Sequence, residues 1–179
     1  MHSLPAVALA LAAVVDLSGA TVDPRPGAGA GPAVVVFVRT DCPVSNRYAP
    51  ELRRLREQFS ARGISFWLVY PDRAETPSAI RRHQSDFGFG YRALRDPQHE
   101  LVQATRATVT PEAAVFVAAA SGPQMVYRGR IDDRYVDFGR SRAAPTRRDL
   151  REVLEALAQG VPVTPRTTVA IGCSIPPLE

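Results

Sequence analysis

Apolar and polar residues change rhythm several times along the chain, and each change marks an element. Residues 33–38 (Ala-Val-Val-Val-Phe-Val) form an unbroken, mostly β-branched run, the pattern of a strand covered on both faces. Beyond it the period lengthens. Tyr48, Leu52, Leu55 and Phe59 fall on one helical stripe with arginines and glutamates opposite, and Gly63 supplies a stop. Residues 64–70 read as a second buried strand. Thr76 caps a helix over 76–84, with Pro77 at its first position, and a further helix is expected near 100–106. Residues 113–119 and 125–129 are two more strands, joined by a turn at Ser121-Gly122-Pro123. A helix with start and stop signals then covers 146–160. Upstream of all this, residues 14–22 resemble a short hairpin broken at Ser18-Gly19, and the Pro- and Gly-rich stretch 23–32 reads as a loop. Alternation first and a hairpin later predict an α/β protein. Its central sheet is mixed, with about four or five strands between flanking helices and an N-terminal hairpin extension.

Length and composition narrow this further. A chain of 179 residues, 45% of them apolar, has material for one domain with a sizeable core. That domain is placed at 14–160, followed by a tail over 161–179 whose four prolines predict an extended path over the surface. Every basic residue is arginine, yet 22 of them against 18 acids leave a net charge of only +4. They lie scattered or beside acids, as in Arg53, Arg54 and Arg56 with Glu51 and Glu57. No stripe with interleaved aromatics forms, so nucleic acid is not an expected partner. The apolar run in residues 1–13 has the look of an export signal and is too short for a membrane span of about 20 residues. A periplasmic or otherwise exported location is therefore expected, with a cytoplasmic one as the alternative.

Two cysteines 131 positions apart exclude a disulfide-rich scaffold and a four-cysteine metal site. Cys42 lies where the first buried strand gives way to helical periodicity. Backbone amides at a helix start favour a thiolate, and such placement lowers a cysteine pKa from about 8.5 to between roughly 3.5 and 7.5. Arg39 and Arg47 are near enough in sequence to add positive charge. Cys173, in Ala170-Ile-Gly-Cys-Ser-Ile-Pro176, is the other thiol, read either as a small apolar tail residue or as a redox partner.

The segment from Phe37 through Cys42-Pro43-Val44-Ser45 to Pro50-Glu51-Leu52 resembles the active-site loop of the thioredoxin-like superfamily. A cysteine opens a helix after a buried strand there, and a proline follows eight positions later. Thr110-Pro111, just before a strand, resembles that superfamily's cis-proline. The likeness extends over about residues 14–175 to a redoxin, AhpC/TSA-like group with a single-cysteine Cys-Pro-x-Ser loop and similar Tyr70-Pro71-Asp72 and Gly172-Cys173 segments. It implies a thioredoxin-like fold and a thiol–disulfide oxidoreductase, without a cofactor, in which Cys42 is the nucleophile on a protein or small-molecule disulfide. Ser45 would donate to the thiolate, and Thr110-Pro111 would present backbone to the substrate chain. Ser45 stands where ordinary thioredoxins carry a second cysteine. The second sulfur must therefore come from Cys173 or an external reducing thiol. The prolines of the tail favour the external route, with Cys173 away from the site and Cys42 partly accessible.

Two other functions share these residues. A thiol peroxidase would use Cys42 on a peroxide, although Thr40 lies two positions before the cysteine where peroxiredoxins have three, and Val35 replaces their upstream proline. A copper-binding or assembly protein of this fold would pair Cys42 with a distant histidine, His83, since thiolate and imidazole suit copper. His83, within Arg81-Arg82-His83-Gln84, reads as a solvated surface residue. The alternating charges of Arg128, Arg130, Asp132, Asp133 and Arg134 read as a salt-bridged loop.

Overall fold

In a computed structural model of the protein, residues 14–178 are described. The expected export segment, 1–13, lies outside them. The elements follow in the order β1 (Val14–Asp16), β2 (Thr21–Val22), β3 (Ala33–Phe37), α1 (Pro43–Ser60), β4 (Ser65–Tyr70), α2 (Pro77–Phe87), β5 (Arg92–Arg95) and α3 (Glu100–Thr105). After these come β6 (Val109–Thr110), β7 (Glu112–Ala119), β8 (Gly122–Gly129), β9 (Tyr135–Asp137), β10 (Arg140–Ser141), α4 (Asp149–Ala158), β11 (Arg166–Thr167) and β12 (Cys173–Ser174).

The main sheet runs β11-β8-β7-β3-β4-β5-β1-β2. Its middle, β8-β7-β3-β4-β5, is the expected mixed sheet. β3 pairs parallel with β4 and antiparallel with β7, and β4 pairs parallel with β5. The N-terminal hairpin lengthens one edge, where β1 lies antiparallel to β5, and the tail lengthens the other, where β11 lies parallel to β8. This is the thioredoxin-like architecture, with both edges extended by chain segments from the two ends.

The apolar run of β3 is uninterrupted because both its faces are covered. Val34 and Val36 join one core with Leu52, Leu55 and Phe59 of α1, Ile80 of α2 and Leu150, Val153 and Leu154 of α4. Val35 and Phe37 point to the other face, where Leu101 and Val102 of α3 and Trp67 and Val69 of β4 meet them. Burying each large side chain here contributes about 1.5–3 kcal/mol, which makes β3 and the stripe of α1 the most strongly held parts of the fold. Thr76 caps α2 through a bond from Ala79 N–H, and Gly88 closes the helix in the left-handed region at φ 61°.

Two of the smaller expectations change, and one strand was not expected. The turn between β7 and β8 is tighter than expected, because the strand resumes at Gly122. β5 had no alternation strong enough to be legible, as Arg92 and Arg95 flank only Ala93 and Leu94. The tail is not a surface coil: it pairs at 166–167 with β8 and at 173–174 with β6. No helix among the described residues is long and apolar enough to cross a membrane.

Candidate active site at the start of the first helix

Cys42 is the N-cap of α1. Its φ and ψ of −85° and 108° are extended, and Pro43 takes the first helical position, where a missing N–H costs nothing. The sulfur accepts from the Ser45 N–H at 3.4 Å, in the role a serine or aspartate oxygen usually plays at a cap. No acid lies in the first turn of α1, so the positive end of the helix is left for the thiolate to complement.

On its other side the Cys42 thiol donates to the carbonyl of Thr110 at 3.1 Å, immediately before the Thr110–Pro111 bond, which is cis. Thr110 and Ser45 are fully buried, and Cys42 is 1% exposed. The expectation of a partly accessible Cys42 is therefore corrected. The reason is the tail, which covers the strand end from which the sulfur would otherwise emerge.

Cys173 is the covering residue. In β12 it stands opposite Thr110 of β6, in antiparallel register, and it packs against the core cluster that contains Cys42. The chain's tail thus reaches the site, and the expectation of a distant Cys173 does not hold. The prolines do keep 161–165 out of regular structure, but Gly172 lets the backbone return. A Cβ at 172 would collide with the Thr110 carbonyl. Both cysteines are free thiols, Cys42 buried and Cys173 half-buried.

Burial raises the Cys42 pKa, but hydrogen bonding to the sulfur, the Ser45 N–H among the donors, outweighs it, and the net direction is down. Cys173 moves the opposite way, pushed up to about 12 by burial and by its proximity to Cys42. The pair is therefore asymmetric, with one sulfur poised to ionise and the other holding its proton. Ser45 Oγ is buried without a hydrogen-bond partner while Cys42 remains a thiol. A hydroxyl left in that position gains its bond when the sulfur becomes an anion, and so favours the thiolate.

The two arginines expected to assist Cys42 are used elsewhere. Arg39 pairs with Asp41 at 2.9 Å and Asp72 at 3.4 Å, and donates to the carbonyl of Ser174 in the tail. Arg47 is exposed and lines a groove of about 260 Å³ with Pro43, Val44, Tyr135, Phe138 and Gly139, on the flank of the helix start. The charged loop after β8 is clamped as read. Arg130 pairs with Asp149 at 2.7 Å, Asp133 with Arg142 at 3.4 Å, and Asp132 accepts from Tyr48 Oη at 2.5 Å.

His83 is not a surface residue. It is 4% exposed, packed edge-on against Tyr70 and beside Phe87 and Phe89. Its Nε2 faces Asn46 Oδ1 at 2.7 Å, and its Nδ1 faces Tyr70 Oη at 2.9 Å. Asn46 Oδ1 can only accept, so Nε2 carries the proton and Nδ1 accepts from Tyr70. Burial lowers the His83 pKa and keeps this neutral tautomer. Both ring nitrogens are thus committed, and no cluster of three or more metal-ligating side chains exists among the described residues. The Cys42–His83 copper pair does not fit this arrangement.

This network is the part of the site that was not legible beforehand. Asn46 also donates to the Thr40 carbonyl at 3.2 Å, and the Thr40 N–H is bound at 2.6 Å by Glu75, a buried carboxyl whose pKa is raised by its burial. Thr40 is gripped on both sides two residues before Cys42. A capped helix with Thr76 at its start was the only sequence signal near Glu75, and nothing in it pointed back to the cysteine loop.

Comparison with known proteins agrees with the fold. The fold matches an uncharacterized conserved protein of Geobacillus kaustophilus at a TM-score of 0.75 and 26% identity, over 91% of this chain and 86% of that one. A hypothetical protein of Sinorhizobium meliloti matches at 0.71 and 21%, over 91% and 88%. A secreted disulfide oxidoreductase of Mycobacterium tuberculosis, homologous to E. coli DsbE, matches at 0.52 and 17%, over 83% and 95%. No curated protein matches the chain. Residues 4–123 match the AhpC/TSA family, well over half of the sequence, and with a thiolate-stabilising helix start at Cys42 inside that span the chain belongs to the AhpC/TSA family and carries a thioredoxin-like redoxin domain.

Proposed function

We propose that the protein is a thiol–disulfide oxidoreductase in which Cys42 attacks the substrate and Cys173 resolves the intermediate. The observation that carries this reading is the pairing of Cys173 with Thr110, the residue whose carbonyl accepts from the Cys42 thiol, with Cys42 shifted toward ionisation and Cys173 away from it. The Cys42 thiolate attacks one sulfur of a disulfide, and the other leaves as a thiolate. Cys42 then carries a mixed disulfide and no charge. The negative charge of Cys42 that opposed ionisation of Cys173 is gone at that point, and its burial and the Asp41 carboxylate are what still oppose it. Cys173 passes its proton to the departing thiolate and attacks Cys42 Sγ, releasing the second substrate thiol. Two protein thiols have become one disulfide, and one substrate disulfide has become two thiols.

An external reducing thiol restores the dithiol. Cys173 is the more exposed sulfur and Cys42 the better leaving group, so attack falls on Cys173. A second thiol then frees Cys173 and leaves as a disulfide. The 1% exposure of Cys42 also favours a peroxidase reading, since a peroxide needs little room. There Cys42 becomes a sulfenic acid with loss of one water, and condensation with Cys173 loses a second. The apolar start of the chain supports an exported location for either reaction. Rapid mixing of the reduced protein with hydrogen peroxide and, separately, with a small disulfide tests the choice. Faster loss of the dithiol to the disulfide, ending in a Cys42–Cys173 bond by peptide mapping, is expected. A faster reaction with peroxide makes it a peroxidase, and no Cys42–Cys173 bond with either removes Cys173 from the mechanism.

A further inference from the structure

Residues 172–175 lie extended along the strand end beside Cys42, and their contacts are those of a docked peptide. Cys173 pairs with Thr110 and Ser174 with Val109. The Ile175 N–H donates to the Thr108 carbonyl at 3.0 Å, and Thr110 Oγ1 donates to the Cys173 carbonyl at 3.4 Å. Arg39 adds a bond to the Ser174 carbonyl at 3.3 Å, tying the tail to Asp41 and Asp72. Ile171 and Cys173 pack on one core cluster and Ile175 on the other, so the segment straddles the end of the sheet. Pro176 and Pro177 have no N–H, and the ladder stops there.

We propose that this segment is a built-in pseudo-substrate: it fills the edge at Thr108–Thr110 where an extended peptide would pair, so a protein disulfide reaches Cys42 only after the tail is peeled away. A two-residue ladder with half-exposed side chains is cheap to open, which makes the tail a gate and not a plug. A reagent of a few atoms needs only a local fluctuation at the sulfur. Small disulfides are therefore the substrates of the closed form, and polypeptide disulfides react at a rate reduced by the fraction of molecules that are open. The Cys42–Cys173 disulfide locks the gate shut. This inference rests on the reading of Cys42 as the attacking thiol.

The test is single-turnover reaction of the full chain carrying Cys173→Ser, which keeps the strand pairing but cannot resolve. One substrate is bis(2-hydroxyethyl) disulfide, and the other is an unstructured peptide whose central cysteine is held as a disulfide with 2-nitro-5-thiobenzoate. Two further variants loosen the tail. Gly172→Val drives a side chain into the Thr110 carbonyl, and Ile175→Pro removes the N–H bonded to Thr108. Either should speed Cys42 adduct formation with the peptide by about tenfold, while the small disulfide changes by less than about threefold. Should Gly172→Val fail to fold, Ile175→Pro carries the same comparison. Unmoved peptide rates, or equal acceleration of both substrates, overturns the gate. If neither disulfide forms a Cys42 adduct in any variant, the redox reading itself has failed and the gate falls with it.

Discussion

Cys42 is held from beneath by a buried strand, a capped helix and a dense core, whereas Cys173 hangs on a two-residue strand and a few hydrogen bonds. The two sulfurs meet at one strand end, where Thr110 pairs with Cys173 and accepts from Cys42, yet they respond to different parts of the molecule. Moving Cys42 requires disturbing β3 or α1, whose apolar residues are almost wholly inaccessible to water. Moving Cys173 requires opening only β12 from β6. On the proposed reading, a rigid Cys42 and a releasable Cys173 suit a reaction in which one sulfur must hold position while the other comes to it.

Several measurements bear on that contrast, beginning with the largest effect. Cys42→Ser should lower disulfide reduction by about a thousandfold or more, because a serine hydroxyl does not ionise at neutral pH and cannot replace the attacking thiolate. Turnover of a small disulfide with a reducing thiol measures this. A mutant retaining most of its activity would mean that Cys173 attacks alone. Cys173→Ser should leave the first step intact but trap a Cys42 mixed disulfide, visible by intact mass, when no thiol is added. Prompt release of the adduct would assign resolution elsewhere.

Alkylation of Cys42 against pH probes the hydrogen bonds. Only the thiolate reacts, and its pKa is shifted down, so half-maximal reactivity should fall below the ordinary thiol value of about 8.5. Cys173→Ala removes the thiol that the tail brings to Cys42, whose presence lowers the Cys42 pKa, and should move the midpoint to higher pH. A midpoint that stays in place would show that the helix start alone sets the ionisation. Ser45→Ala should give a smaller upward movement with an unusual signature. Its hydroxyl is buried and unbonded beside the thiol, so stability by urea unfolding at neutral pH should hold or rise by up to about 1 kcal/mol. A clear loss of stability would show that Ser45 serves the fold and not the thiolate.

On the rigid side of the comparison, Leu52→Ala should cost about 2–5 kcal/mol of stability, measured by the same unfolding, because the side chain lies wholly within the main core. It should do so with little effect on the Cys42 midpoint. A shifted midpoint would mean that the helix carries Cys42 less firmly than its packing implies.

The cysteine loop was readable because its determinants are local. A β-branched run, a cysteine at the change of period, Pro43 at the first helical position and the Tyr48-Leu52-Leu55-Phe59 stripe sit within 27 consecutive positions, 33 to 59, and each follows from its neighbours. The strands β3, β4 and β7 and the helix α2 with its Thr76 cap were legible for the same reason. What the sequence alone could not decide is where distant segments return. Nothing between 161 and 179 says that Gly172 fits against the Thr110 carbonyl, because the fit depends on a backbone approach that only the folded strand end provides. Likewise His83 stands among arginines in sequence, and a charged stretch predicts exposure. Its burial comes from Tyr70, Phe89 and Asn46, which belong to a strand, a loop and another helix. Local pattern thus determined the place of Cys42 and its helix. Tertiary packing decided that the sulfur is covered, that its partner is the tail cysteine, and that the histidine serves the loop through Asn46, since each of these rests on contacts between residues far apart along the chain.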